Sequence, residues 1–125
     1  MRRLAILALA PLLALTLPAA VQAHARLVSS TPAANGTVAK PTKLTLTFSE
    51  PLVAPMSGIE LTMTGMPGMA NHAPMPIKGF ATAATGATLT VTMPRALPSG
   101  SYALKWHAVT ADQHRVEGQY TFTVR

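Results

Sequence analysis

Lys43-Leu44-Thr45-Leu46-Thr47-Phe48-Ser49 is the stretch that decides the fold. Leu44, Leu46 and Phe48 fall on one side of an extended chain, Lys43, Thr45 and Thr47 on the other. A period of two carried by β-branched and aromatic residues is the signature of a strand with one face buried. Thr88 to Met93 repeats it with Leu89, Val91 and Met93. Ser101 to Val109 puts Tyr102, Leu104, Trp106 and Ala108 on one face, and Gln119 to Val124 does the same with Tyr120, Phe122 and Val124. Shorter alternations run over Ala25–Ser30, Ile59–Met63 and Ile77–Phe80. Asn35-Gly36, Pro51, Pro55, Ser57-Gly58, Pro98-Ser99-Gly100 and Glu117-Gly118 supply the turns between them. Past residue 23 no stretch has a 3.6-residue apolar period flanked by helix caps. About seven strands in roughly 100 residues predict an all-β sandwich.

The chain before the first strand follows different rules. Arg2 and Arg3 precede an apolar run from Leu4 to Leu17, and Val21-Gln22-Ala23 puts small residues where a signal peptidase reads. The run contains Pro11 and is followed by Pro18, is short for a bilayer span and has no basic stop signal behind it. The expectation is a signal peptide over residues 1–23, cleavage before His24, and one domain over residues 24–125 that is not membrane-embedded. The domain's eight Lys and Arg residues, against four acids, are scattered along the sequence, with no stripe or stacking aromatics. That pattern excludes a nucleic-acid footprint. There is no cysteine, which removes disulfides, blue-copper centres, thiolate zinc sites and thiol redox chemistry. Any metal must be held by His, Met, carboxylate or main-chain groups.

Residues 63–76 fit neither strand nor ordinary loop. Three Pro and two Gly argue for an irregular surface loop, yet four of the seven methionines, Met63, Met66, Met69 and Met75, sit there with His72. Thioethers are soft neutral donors that select Cu(I) among biological metals, and a Gly/Pro loop can fold several around one ion. The competing reading packs Met63 inward at a strand end and leaves the others as adaptable apolar contacts.

Asp112-Gln113-His114 forms the second constellation. An extended Asp-x-His points both side chains one way, although a turn-forming Asp beside a surface His is the commoner use of such a pair. His24 changes the weighing. At a free N-terminus it offers its amine and a ring nitrogen as a chelate. With the His114 imidazole and the Asp112 carboxylate it makes a nitrogen and oxygen donor set suited to Cu(II). Glu50, at the end of the Leu44–Phe48 strand, is a further carboxylate for the ion or its surround. His107 follows inward-facing Trp106, so alternation turns it to solvent.

These residues together resemble the CopC-type periplasmic copper-resistance proteins. The resemblance runs through His24-Ala25-Arg26-Leu27-Val28-Ser29-Ser30-Thr31-Pro32, Leu46 to Glu50, Met63 to Met69 and His72-Ala73-Pro74-Met75. It continues through Trp106 to Val109, Asp112-Gln113-His114 and Tyr120 to Val124. It implies a seven-stranded Greek-key sandwich of cupredoxin-like shape with two copper sites. One is a Cu(II) site at His24, Asp112 and His114, with Glu50 aligned to a nearby family acid. The other is a Cu(I) site at Met63, Met66, Met69, His72 and Met75. It further implies a periplasmic carrier or buffer without enzymatic activity, handing copper to an inner-membrane importer or other copper proteins. The chain departs from the pattern by an extra residue before His72, by His107 where Arg is expected, and by Arg115 where Pro is expected. The rival readings are a copper monooxygenase, since an N-terminal His also supports oxygen chemistry, and a metal-free β-sandwich interaction module.

Overall fold

The computed structural model describes Pro11 and residues 25–125; the rest of the expected signal segment and His24 lie outside the described residues. The strands are β1 (Leu27–Thr31), β2 (Thr37–Val38), β3 (Lys43–Phe48), β4 (Gly58–Gly65), β5 (Met75–Pro76), β6 (Ala81–Thr85), β7 (Thr88–Thr92), β8 (Gly100–Val109) and β9 (Arg115–Val124). One 3₁₀ turn, Ala54–Met56, precedes β4. Among the described residues there is no α-helix, and none long and apolar enough to cross a membrane.

The strands form two sheets, β1-β3-β7-β6 and β2-β9-β8-β4-β5. The chain crosses from the first sheet to the second between β1 and β2, between β3 and β4 and between β7 and β8, the Greek-key connectivity of a sandwich. Two of the nine strands among the described residues, β2 and β5, have only two residues and lie on the edges of the second sheet. The remaining seven are the body of the expected seven-stranded sandwich.

Alternation delivers the core. Leu44, Leu46 and Phe48 from β3 and Leu89 and Val91 from β7 face Leu61, Tyr102, Leu104, Trp106, Phe122 and Val124 from the other sheet, all buried. Phe48 meets Trp106 edge-on with ring centroids 5.0 Å apart, and Tyr102 stacks on Phe122 at 5.3 Å. The Tyr102 hydroxyl, whose pKa burial raises to about 12, donates to the Pro98 carbonyl at 2.6 Å, which satisfies a polar tip inside the apolar layer. Trp106 lies directly opposite Gly118, where any Cβ would collide with the indole ring. The glycine is thus the space into which the tryptophan fits.

Three expectations change. Ile77–Phe80 is not a strand: Ile77 and Phe80 pack on the core from an irregular segment, and the pairing strand is Ala81–Thr85. Residues 63–76 are not wholly irregular, because Met63 to Gly65 continue β4 and Met75–Pro76 pair with Thr62 and Met63. β9 begins at Arg115, four residues before its clean alternation.

β8 fixes the long dimension. Gly65 of β4 and Val124 of β9 register with its start, at Ser101 and Gly100, whereas Gly58 and Arg115 register with its end, at His107 and Val109. The chain leaving β4 and the hairpin between β8 and β9 therefore emerge at opposite ends of the sandwich. Ten residues of β8 at ~3.3 Å each set those ends about 30 Å apart.

Candidate metal centres

At one end, the β8–β9 hairpin turns through Thr110 to His114. The Gln113 amide donates to the Thr110 carbonyl at 2.8 Å and the Thr110 amide to the His114 carbonyl at 3.2 Å. Gln113 takes a left-handed conformation with φ 66°, and this folds Asp112 and His114 back toward each other. Asp112 Oδ2 lies 2.8 Å from His114 Nδ1, so the ring donates there and carries its lone pair on Nε2. Asp112 Oδ1 accepts from the Thr110 hydroxyl and, at 3.3 Å, from the His114 amide. Those bonds, the Thr110 hydroxyl first and His114 second, pull the Asp112 pKa down to about 2. Asp112 is an anion throughout the neutral and mildly acidic range, and it orients the imidazole as carboxylates do behind metal-bound histidines.

Glu50 shares this end. It lines a groove of about 300 Å³ with Pro51, Thr110, Ala111 and Asp112. Leu52 bridges to Thr110 beside it. The start of the described chain is tied to the same place: Ala25 is buried, and Arg26 and Ser49 exchange bonds of 3.0 and 2.9 Å immediately before Glu50. Among the described residues no three His, Asp or Glu side chains converge as a metal site. The expected fourth donor residue, His24, lies outside them.

At the other end, Met66 and Met69 exchange both backbone bonds, at 2.9 and 2.8 Å, across Pro67-Gly68. Pro fixes the first corner, and Gly68 at φ 81° takes the second, where an L side chain would be strained. A pair that exchanges both bonds puts its side chains on one face, so the tight turn aligns two thioethers. Both are exposed, as is Met75. The segment folds back so closely that a Cβ on Gly65 would overlap the Ala70 carbonyl. The His72 amide then donates to Thr64 O at 3.1 Å. His72 Nδ1 donates to Ala73 O at 2.7 Å, leaving the lone pair on Nε2, an atom that is buried and has no hydrogen-bond partner. A buried acceptor without a donor is costly unless something else binds it.

A CopC domain model matches residues 27–125. The chain belongs to the CopC family. It is 46% identical over 104 residues to copper resistance protein C of Escherichia coli, covering 82% of each chain. To the protein of that name from Pseudomonas syringae pv. tomato it is 44% identical over 108 residues, covering 86% of this chain and 85% of that one. It superposes on the crystal structure of PcoC, a methionine-rich copper resistance protein from Escherichia coli, with TM-score 0.72 and 43% identity over 82% of this chain and 100% of that one. CopC from Methylosinus trichosporium OB3b matches with TM-score 0.65 and 31% identity, covering 81% and 93%.

Within this CopC-family chain the sequence candidates do not all behave alike. Asp112 and His114 come together, with Glu50 on their groove. Met66, Met69, His72 and Met75 share the opposite end. Met63 is set apart from its exposed companions, since it is 5% exposed and part of the hydrophobic core. Position in β4 explains this, because Met63 continues the inward series Ile59, Leu61, Met63. His107 is half-buried rather than turned fully to solvent, its ring packed over Gly58, its register partner on β4, with Glu117 its register partner on β9. Burial, then the Arg115 charge, lower its pKa. Thr110 has no motif signal; its role arises only when the turn brings its hydroxyl onto Asp112.

Proposed function

We propose that this protein is a non-catalytic copper carrier of the periplasm, processed before His24, with two copper sites of different chemistry at opposite ends of the sandwich. His24, Asp112 and His114 take Cu(II), with Glu50 beside them. Met66, Met69, Met75 and His72 take Cu(I), with Met63 as the buried donor beneath them. The observation that carries this reading is the Met66–Met69 pair on its Pro-Gly turn beside a histidine whose lone-pair nitrogen is buried without a partner. Soft sulfur plus one oriented imidazole is a donor set for Cu(I), and the tautomer is the one that metal-binding histidines adopt. For Cu(II), the support is the oriented His114 and the burial of Ala25 at the same end, one peptide bond from His24. The copper resistance names of the relatives agree with both. As a carrier, the protein passes its copper to an inner-membrane importer or another periplasmic copper protein.

Competition titrations against pH test the division of labour. Amine and imidazole must lose protons to bind, with ordinary values near 7.7–8.0 and about 6.5, whereas the thioethers that make up most of the Cu(I) set carry no proton. Asp112, already ionised above about pH 2, contributes no titration in this window. Cu(II) affinity is therefore expected to fall steeply from about pH 8 to about pH 5, and Cu(I) affinity to fall much less. Parallel slopes for the two ions would contradict the assignment.

A further inference from the structure

The charges of this chain are scattered in sequence but sorted in space. Lys43 begins β3 opposite Thr92, and Pro41 and Thr42 accept backbone bonds from Leu97 and Met93 in the connection leading to Gly100. The Arg125 amide bonds to Val38 O, two residues before Lys40. Lys78 and Arg95 line one groove by the same connection. Lys40, Lys43, Arg95 and Arg125 are exposed and lie at the Met-loop end, and exposed Lys78, following Ile77 whose amide bonds to Leu61 O, stands between that end and mid-sheet, where it shares a groove with Glu60. None of the four acids lies at the Met-loop end itself. Glu50, Asp112 and Glu117 sit at the hairpin end with Arg26 and Arg115, and Glu60 lies opposite Lys105 in mid-sheet. The sandwich is thus polarised along β8, with an excess of positive charge toward the methionines.

The groove there measures about 380 Å³. Apolar Ile77, Met93 and Leu97 line it, the last two buried, together with the exposed cations Lys78 and Arg95. Pro76, next to Met75, lines it as well. We propose that this end is a docking face for an acidic partner protein, which seats an apolar side chain in the groove between Lys78 and Arg95. Its acidic residues meet the exposed cations of that end. Docking this way brings the partner's own donors alongside Met66, Met69 and Met75. A face with an excess of positive charge steers an oppositely charged surface and fixes its approach. An anionic bilayer would match the charge but, being flat, would leave the concave apolar floor unfilled. That the face serves Cu(I) transfer rests on the copper reading above; the docking itself does not.

The test uses the processed protein without copper and two synthetic peptides. One is Glu-Asp-Leu-Glu-Glu with blocked ends; the other has its acids replaced by Lys. In amide-resolved NMR titrations the acidic peptide is expected to shift residues 76–80 and 93–98. Raising salt from about 20 to about 200 mM should weaken binding at least about tenfold, as should the pair Lys78→Glu and Arg95→Glu. The Lys peptide should not bind. Lys78→Ala with Arg95→Ala, milder changes at exposed positions, should weaken binding in the same direction. Shifts centred on the Arg26 and Arg115 end, indifference to both variant pairs, or sedimentation with phosphatidylglycerol vesicles in place of peptide binding would overturn the proposal. Because no copper is present, failure here leaves the copper reading standing. Loss of Cu(I) binding in a separate titration would leave the docking face standing.

Discussion

Adding one residue ahead of His24 is expected to abolish tight Cu(II) binding while leaving Cu(I) binding unchanged. The extension converts the His24 amine into an amide, which keeps the imidazole but removes the chelating nitrogen. Loss of a partner that merely orients a ligand costs about 10–100-fold in metal affinity, so loss of a direct ligand is expected to exceed about 100-fold. The fold should not notice, because the described sandwich starts at buried Ala25 and is held by the Arg26–Ser49 pair. Circular dichroism and thermal unfolding of the metal-free protein serve as the control. Equal Cu(II) affinity for the extended and native forms would remove His24 from the site.

Replacing Met66 and Met69 together by Leu is expected to have the second largest effect, on the other ion. Both side chains are exposed, at 39% and 53%, and Leu is close to Met in volume. Even in a core such swaps usually cost less than about 1.5 kcal/mol, so the metal-free protein should unfold at nearly the native midpoint. Cu(I) affinity should nevertheless fall by more than about 100-fold, because two of the soft donors are gone. Cu(II) binding, about 30 Å away along β8, should persist. Met63→Leu is the informative companion. As a core residue Met63 contributes packing whatever else it does, so its replacement should register in stability as well as in any loss of Cu(I). Native Cu(I) affinity in the double variant would return the turn to a role in surface contact.

The parts of this fold legible from sequence are those where burial differs sharply between the two faces of a strand. Leu44, Leu46 and Phe48 alternate with Thr because one side of β3 is core and the other is solvent. The same contrast marks β7, β8 and the second half of β9. Where it vanishes, so does the signal. β6 is an edge strand of Ala and Thr whose two faces are chemically similar, so Ile77 and Phe80 nearby read as the strand instead. β2 has two residues and pairs in parallel with β9, too short for any period to register. The site divides likewise. Donor types are visible as Met, His and Asp at close spacing, but not their grouping. Only the alternation within β4 separates buried Met63 from Met66, and only the left-handed Gln113 brings Asp112 onto His114 and Thr110 onto Asp112. The charge polarity along β8 belongs wholly to the fold, since the eight cations from Arg26 to Arg125 are dispersed along the sequence.

The measurement that bears most directly on two separate copper sites is Cu(II) titration of the processed protein already saturated with Cu(I) under anaerobic conditions. Independent sites at opposite ends predict that one equivalent of Cu(II) binds with the affinity shown by the Cu(I)-free protein, and that no Cu(I) is released. Displacement of Cu(I) by Cu(II), or refusal of the second ion, would mean a single shared site and would contradict the account.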